Sequence, residues 1–186
     1  MALPKVPRTA DDLDDMPDDG QRYEIIEGVL YVSPPPSRRH QRASRLLTRA
    51  LDLYSEALGL ELMYAPADVR AAFDTQVEPD LFVLPHRFEG RDAERWEPMA
   101  KVLLCVEVLS PSTALLDRVR KRQLYQAQEV PEYWIVDTES RVIEVWTPGA
   151  VQARVERECV TWHAVPARDP LVIDLVALFR KVHDED

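Results

Sequence analysis

The chain has 186 residues, of which 46% are hydrophobic, as is typical of one globular domain with a sizeable core. Its formal net charge of −10 argues against non-specific binding of nucleic acid by the whole surface, although it allows a local basic patch. No apolar run approaches the roughly 20 residues of a membrane span, and the N-terminus lacks the apolar core of a signal peptide. Two cysteines make no disulfide framework, so we expect a cytoplasmic protein.

The first predicted elements are a short helix and a β-hairpin. Thr9 is a suitable N-cap for a helix whose first turn carries the acids of "DDLDDMPDD". "RYEIIEGVLYVS" predicts two strands, Arg22–Ile26 and Val29–Ser33, joined by a turn at Glu27 and Gly28. We therefore expect one domain over residues 1–186, with an acidic helical segment at 1–20 and a core at 21–180.

A long helix and several strands follow the hairpin. Apolar residues at helical spacing predict a helix over 37–58, with Ser37 as its cap and Gly59 at its end. Short strands are predicted near 60–64 and 68–72, and "QVEPDLFVLP" predicts one further strand entered through Pro79. The polar stretch 85–100 is predicted to be a surface loop.

The second half of the chain begins with an almost wholly apolar strand over 102–109, "VLLCVEVL". Four more elements are predicted after it: a helix from Ser112 or Thr113 to about Gln128, a hairpin turning at 138–140, a strand near 154–159 and a short helix capped by Asp174. Because strands and helices are mixed along the chain, the fold class is α/β or α+β around one sheet.

Glu107 is the one charged residue in the apolar strand. A buried carboxylate costs several kcal/mol unless a cation or hydrogen-bond donors meet it. If the strand that begins near Asp80 is its neighbour, the two carboxylates converge, and they repel unless a cation lies between them. Oxygen ligands with open water positions suit Mg²⁺ or Mn²⁺. An arginine such as Arg70 is the structural alternative for Glu107.

The helix after this strand carries a polar stripe. Asp117, Lys121 and Tyr125 are spaced i, i+4, i+8, so they share one face that can look toward the carboxylates. A lysine there can hold an attacking water or stabilise phosphate charge in a transition state. Taken alone, a pair such as Asp117 and Lys121 is more often an ordinary surface ion pair.

These residues resemble the signature of the PD-(D/E)XK nuclease superfamily, and more closely its branch of restriction endonucleases whose biological role is largely unknown. The matching segments span residues 23–137: "YEIIEGVLYVSPPPSRRH", "APADV", "VEPDLFV", "VEVLSPST" followed by the polar stripe, and "VPEYWIVD". The resemblance implies a restriction-endonuclease-like fold, in which a central mixed sheet is flanked by helices and accompanied here by the N-terminal hairpin.

The resemblance also implies roles for individual residues. Asp80 and Glu107 are implied as metal ligands, with the backbone carbonyl of Val108 beside them. The superfamily keeps a lysine two residues after the glutamate, where this chain has Leu109, and the branch places its lysine on the next helix, where Lys121 stands. Further family positions, implied to support the site, are Glu24, His40, Asp117 and Tyr125; a structural hydrogen-bonding role is an equal alternative for His40.

DNA contacts are expected from two basic clusters. The first follows one helix face and consists of Arg38, Arg42, Arg45 and Arg49; the second lies beside the proposed site and includes Arg118 and Arg122. A solvated helix face is the alternative for the first cluster.

The expected function is metal-dependent hydrolysis of DNA by an endonuclease, with Mg²⁺ or Mn²⁺ as cofactor. The alternative is a catalytically inactive nucleic-acid-binding or assembly protein on a nuclease fold. Homodimerisation through hairpin edge strands is a further expectation.

Overall fold

The computed structural model describes residues 8–85 and 101–185, so the predicted loop lies outside the described residues except for Pro85. A 3₁₀ helix, Ala10–Asp15, comes first. The carboxylate of Asp12 accepts hydrogen bonds from the backbone N–H and the hydroxyl of Thr9, at 2.9 and 2.8 Å. Thr9 therefore caps this short helix, as predicted.

The described residues form twelve strands and three α-helices. The helices are α1 (Arg38–Leu58), α2 (Arg122–Ala127) and α3 (Leu175–Val182). The strands are β1 (Arg22–Ile26), β2 (Val29–Ser33), β3 (Leu60–Tyr64), β4 (Val69–Ala72), β5 (Thr75–Val77), β6 (Leu81–Pro85), β7 (Leu104–Val108), β8 (Glu132–Asp137), β9 (Val142–Trp146), β10 (Arg154–Glu156), β11 (Cys159–Trp162) and β12 (Leu171–Asp174).

The N-terminal hairpin is part of a four-stranded sheet with the order β2-β1-β5-β4. Glu27 and Gly28 have φ angles of 52° and 73°, and a turn with two left-handed residues matches the twist of a tight hairpin. Its two strands have the predicted bounds. Since the described strands form three sheets, the expectation of one sheet was wrong.

The central sheet has six strands in the order β10-β9-β8-β7-β6-β3. Strands β7 and β8 are parallel and the other pairs are antiparallel, so the sheet is mixed, as the resemblance implied. The helix α1 and the C-terminal helix α3 pack on one face of this sheet. The helical segment that follows β7 covers the other face. Strands β11 and β12 form a small third sheet.

The predicted strand "QVEPDLFVLP" is divided between two sheets. Its first part, β5, pairs with β1 and β4, whereas its second part, β6, pairs with β3 and β7. Pro79 lies between them and has no N–H to contribute to a ladder. Asp80 therefore stands where the chain crosses from one sheet to the other.

Alternation along β7 sends its side chains to two different cores. Leu104, Val106 and Val108 pack in the layer of α1 and α3, while Cys105 packs in the layer of Tyr125. Glu107 alternates with Val108 and so faces the second layer. Full burial of a side chain such as Leu104 stabilises the fold by about 1.5–3 kcal/mol, which anchors β7 at the centre of the sheet.

The helical segment after β7 differs from the predicted regular helix. It begins at Ala114, directly after Thr113, and the Ser110 carbonyl accepts from the Ala114 N–H at 3.0 Å. A π-helix, Leu116–Lys121, then leads directly into α2. Such wide turns are rare and often occur at functional sites.

The C-terminal region keeps one predicted cap and adds strands. Asp174 accepts from the Ala177 N–H at 2.9 Å and caps α3, as predicted. The single strand expected near 154–159 is two strands, β10 and β11, and β10 covers the outer side of β9. The second hairpin is therefore internal to the sheet, which removes it as an edge for dimerisation.

Cys105 and Cys159 are both free. In the part of the chain that the structure describes, no helix is long and apolar enough to cross a membrane.

Candidate active site

Asp80 is buried where β5 passes into β6, and the protein engages both of its oxygens. Its Oδ1 accepts from Arg22 Nη2 at 2.9 Å. Its Oδ2 accepts from the backbone N–H of Val108 at 2.8 Å and lies 2.9 Å from His40 Nε2. Burial raises the pKa of Asp80, but His40, Arg22 and the Val108 N–H together hold it well below its usual value. Asp80 is therefore an anion fixed from three directions.

Glu107 lies on the neighbouring strand and the same face of the sheet. Leu81, the first residue of β6, pairs with Val106 in an antiparallel register. Asp80, one residue earlier, therefore lies beside Glu107. Glu107 Oε1 accepts from Lys121 Nζ at 2.8 Å and from the Tyr125 hydroxyl at 3.1 Å. Burial raises the pKa of Glu107, and the Lys121 charge opposes this. The cation that meets Glu107 in this structure is therefore Lys121, not Arg70, which pairs with Asp11.

Lys121 is 1% exposed and also lies 2.8 Å from Glu24 Oε1. Glu24 projects inward from β1, so the lysine joins the N-terminal sheet to the central sheet. Burial lowers the pKa of Lys121, but Glu107, Glu24 and Asp117 outweigh it and raise the pKa well above its usual value. Lys121 is thus permanently charged in the folded protein.

Asp117 lies one turn before Lys121, and their side chains are 3.8 Å apart at Oδ1 and Nζ. Both residues are buried, so the alternative of an ordinary surface ion pair was wrong. Neither carboxylate oxygen of Asp117 has a hydrogen-bond partner among the described residues. Burial raises the pKa of Asp117 to about 6, although the Lys121 charge opposes the shift.

The π-helix sets the orientation of Asp117, Lys121 and Tyr125 relative to strand β7. The Arg122 N–H donates to the Asp117 carbonyl, five residues earlier, and the Tyr133 hydroxyl donates to the same carbonyl at 3.2 Å. The rings of Tyr125 and Tyr133 pack with centroids 4.5 Å apart. The wide turn is thereby held from β8 while Lys121 and Tyr125 both contact one oxygen of Glu107.

Arg22 and Glu78 belong to the same cluster, and neither was predicted from the sequence. Arg22 Nε lies 2.9 Å from Glu78 Oε1, and Arg22 Nη1 lies 4.0 Å from Glu107 Oε2. Burial lowers the pKa of Arg22, but Asp80 and the other carboxylates raise it above its usual value. Arg22 and Glu24 are two residues apart on β1, so they lie on the same face of the strand. Two charged residues on one strand face were the signal in the sequence that could have identified Arg22.

A cleft of about 590 Å³ opens onto this cluster. It is lined from three sides by β1 and the segment after β2, by the ends of β6 and β7, and by the start of the helical segment. The cluster holds five carboxylates, those of Glu24, Glu78, Asp80, Glu107 and Asp117, against the two permanent cations Arg22 and Lys121. A further cation at the wall of the cleft would favour the charged forms of Glu107 and Asp117, whose pKa values burial raises.

The oxygen donors beside the cleft have the chemistry that Mg²⁺ and Mn²⁺ prefer. In residues 8–85 and 101–185, no group of three or more His, Cys, Asp or Glu side chains could hold a metal ion. Mg²⁺ is commonly held by one or two carboxylates and completes its shell with water. Glu107 Oε2 is beyond hydrogen-bond distance of Arg22, and an ionised carboxylate such as Asp80 can accept about four bonds. The oxygen donors and the charge therefore fit a hard divalent cation.

Val108 was the third predicted ligand, through its carbonyl oxygen. The Val108 N–H points toward Asp80, whereas the Leu109 N–H donates to the Val136 carbonyl on β8. Because the N–H and C=O of one strand residue point the same way, the Val108 carbonyl is directed to the Asp80 side of β7. This orientation agrees with the predicted ligand set.

The family model of Uma2, with the description "Putative restriction endonuclease", matches residues 10–173. The chain belongs to the Uma2 family. A solved structure with a similar fold is that of a protein from Anabaena variabilis ATCC 29413, described as "a putative nuclease belonging to DUF820". It superposes with a TM-score of 0.76 over 95% of this chain and 99% of the other, at 16% identity. No curated protein sequence matches the chain.

Membership of the Uma2 family and this fold confirm the resemblance to the restriction-endonuclease-like superfamily. The structure brings six of the predicted residues into one cluster, and His40 approaches it from α1 through Asp80. The six are Glu24, Asp80, Glu107, Asp117, Lys121 and Tyr125. Their functions stay predictions, because shared membership of a family does not assign a role to each residue.

Of the arginines predicted to contact DNA, one lines a groove beside the cluster, and several others contact acidic or aromatic side chains. Arg45 is exposed and lines a groove of about 220 Å³ that reaches Asp80. Arg38 and Arg42 face Asp184, and Arg118 pairs with Asp137 and Glu144. Arg122 lies over the Trp146 ring at 4.7 Å. Arg45 is thus a predicted contact that lines the same groove as Asp80.

Proposed function

We propose that this member of the Uma2 family is a metal-dependent endonuclease that hydrolyses phosphodiester bonds in DNA. One observation carries the proposal: Asp80, directly before β6, lies beside Glu107 on β7 at the wall of an open cleft, with Lys121 in contact with Glu107. The surplus of buried carboxylates over fixed cations also supports it, because a structural ion-pair cluster has no need of unbalanced charge.

Asp80, Glu107 and the Val108 carbonyl would hold Mg²⁺ or Mn²⁺. When bound, such an ion would polarise the phosphate and lower the pKa of a bound water. Lys121 keeps its proton, so it supplies positive charge next to Glu107 rather than removing a proton. His40 and Arg22 fix the Asp80 carboxylate, and Tyr125 fixes that of Glu107. This prior fixation lowers the reorganisation needed during the reaction.

The DNA substrate would approach along the face that carries Arg45. The groove beside Asp80 is lined by Arg45 together with Gln41, Ser44 and Thr48 from successive turns of α1. Exposed arginine and polar side chains at helical spacing can follow a phosphate backbone without reading its sequence. Strand β2 lies at an edge of the N-terminal sheet among the described strands, and we retain it as the proposed edge for a homodimer.

The test uses purified protein with plasmid and single-stranded DNA in the presence of Mg²⁺ or Mn²⁺. We expect cleavage by the unaltered chain and a fall of at least about 100-fold in Glu107→Gln, because the variant loses charge at the metal position. Glu56→Gln, on the exposed side of α1, is the matched control and should cleave normally. Equal cleavage by the chain and by Glu107→Gln would contradict the site.

The second candidate is a non-catalytic protein that binds nucleic acid on the same fold. The contacts of Asp80 with Arg22, Val108 and His40 favour this candidate. They already occupy much of the hydrogen-bonding capacity of the carboxylate. Calorimetry separates the two candidates. DNA binding without uptake of Mg²⁺ or Mn²⁺ would support the second candidate, and uptake that is lost in Glu107→Gln would support the endonuclease.

A further inference from the structure

Asp117 is the one residue of the cluster whose carboxylate has no hydrogen-bond partner among the described residues. It is 1% exposed, and it lines the same cleft as Asp80 and Glu107. A buried charge without hydrogen bonds is costly, and such groups in native proteins usually meet a water, an ion or a reactant. The structure therefore raises the question of which group Asp117 serves.

The neighbouring cations do not answer that question. Lys121 Nζ is 2.8 Å from both Glu24 and Glu107 but 3.8 Å from Asp117. Arg118, the next residue, turns away to Asp137 and Glu144. Tyr133 bonds to the backbone carbonyl of Asp117 and not to its carboxylate. The Thr113 hydroxyl is near enough to lower the pKa of Asp117 but is outside hydrogen-bond geometry. The Asp117 carboxylate is thus buried at the wall of the cleft without a hydrogen-bond partner among the described residues.

We propose that Asp117 binds the attacking water and accepts its proton. The inference rests on the proposed hydrolysis of a phosphodiester. The water oxygen forms the new bond to phosphorus as one O–H electron pair is released, and that proton passes to a carboxylate oxygen of Asp117. The bond from phosphorus to the leaving oxygen breaks, and the leaving oxygen takes a proton from solvent. Asp117 then returns its proton to solvent through the cleft.

Two further features agree with this role. The pKa of Lys121 is raised by Glu107, Glu24 and Asp117, so its ammonium is a poor proton acceptor. Burial raises the pKa of Asp117 to about 6, against the opposing charge of Lys121, and a general base acts best when its pKa is near the working pH. The other titratable groups around it are Glu24 on β1, Asp80 before β6, Glu107 on β7 and Tyr133 on β8.

The experiment compares Asp117→Asn and Asp117→Ser with the unaltered chain, with Asp52→Asn on the exposed face of α1 as matched control. Cleavage of plasmid DNA is followed from pH 5 to 9, Mn²⁺ binding by calorimetry, and the Tm of the metal-free protein at pH 8. In both Asp117 variants we expect the cleavage rate to fall about 10²–10⁴-fold and the inflection near pH 6 to disappear. Mn²⁺ affinity should stay within about threefold, and the Tm should rise, because a buried carboxylate without a hydrogen bond is replaced by a neutral side chain.

Each contrary result would overturn the role of Asp117 for a different reason. Cleavage within about threefold of the unaltered chain in either folded variant overturns the role of Asp117 while the endonuclease stands. Loss of Mn²⁺ binding in both variants overturns it by making Asp117 a ligand. A lower Tm in both overturns it in favour of a structural carboxylate. If the unaltered chain cleaves no DNA, the proposed function fails, and the inference fails with it.

Discussion

Replacing Lys121 by methionine removes the central cation of the cluster while keeping an unbranched side chain. Lys121 is fully buried and lies 2.8 Å from both Glu24 and Glu107. Removal of one partner from a buried ion pair destabilises a protein by about 3–5 kcal/mol, because the remaining charge stays buried and unpaired. For a domain of this size each kcal/mol lowers the Tm by roughly 2–4 °C, so Lys121→Met should lower it by roughly 6–20 °C.

Urea unfolding and thermal scans of the metal-free protein at pH 8 measure this loss. The raised pKa of Lys121 means that its contribution is fully present below pH 10.5 and declines only at higher pH. The difference between the variant and the unaltered chain should therefore be constant from about pH 7 to 9. Lys181→Met, on the exposed face of α3, is the matched control and should cost less than about 1 kcal/mol.

A double-mutant cycle tests the cause of the loss. If Lys121 acts through Glu107, the variant with both Lys121→Met and Glu107→Gln should be more stable than the sum of the two single losses predicts, by at least about 1 kcal/mol. Additive losses would show that the lysine and the glutamate do not interact. A loss below about 1 kcal/mol for Lys121→Met would refute the buried pairing itself.

Three further outcomes are expected. Arg22→Gln removes a cation that competes for Asp80, so calorimetry should show Mn²⁺ binding at least about tenfold tighter; weaker binding would contradict this. Asp80 has a depressed pKa, so its stabilisation is present above pH 3.8 and is lost as the pH falls further; the deficit of Asp80→Asn in urea titrations should shrink below about pH 4, and a constant deficit would be contrary evidence. Gly59 has φ 66° with open space around it, so Gly59→Ala should cost only the backbone strain of about 1–2 kcal/mol in urea, and no cost would argue against this conformation.

Local signals predicted the parts of the fold that depend on a few adjacent residues. The hairpin of β1 and β2 has the predicted bounds because Gly28 readily adopts the left-handed angle that the second turn residue requires. The two ends of α1 follow from the Ser37 cap and from Gly59 in the same way. The division of β5 from β6 could not be read from the sequence, because the choice of sheet depends on strands distant along the chain.

The candidate site was predictable where a charge interrupts an apolar pattern. Glu107 stands out in its strand, and the resemblance to a known family supplied Asp80 and Lys121. Arg22 was missed because alternation along β1 identifies a buried face but not the side chain that lies opposite it. The pairing of Arg118 with Asp137 and Glu144 was equally hidden, since those acids follow in β8 and β9.

The position of the lysine depends on backbone geometry that the residue pattern does not encode. Leu109, two residues after Glu107, packs in the apolar layer on the same face of the sheet, where the superfamily keeps its lysine. Lys121 reaches the Glu107 carboxylate from the helical segment that crosses this face, and it does so from the last residue of the π-helix. The wide turn is held by the Tyr133 hydroxyl on the Asp117 carbonyl, and Tyr125 shares the Glu107 oxygen with the lysine. The tyrosines and the π-helix are therefore part of what places a cation at Glu107 from a different element of the fold.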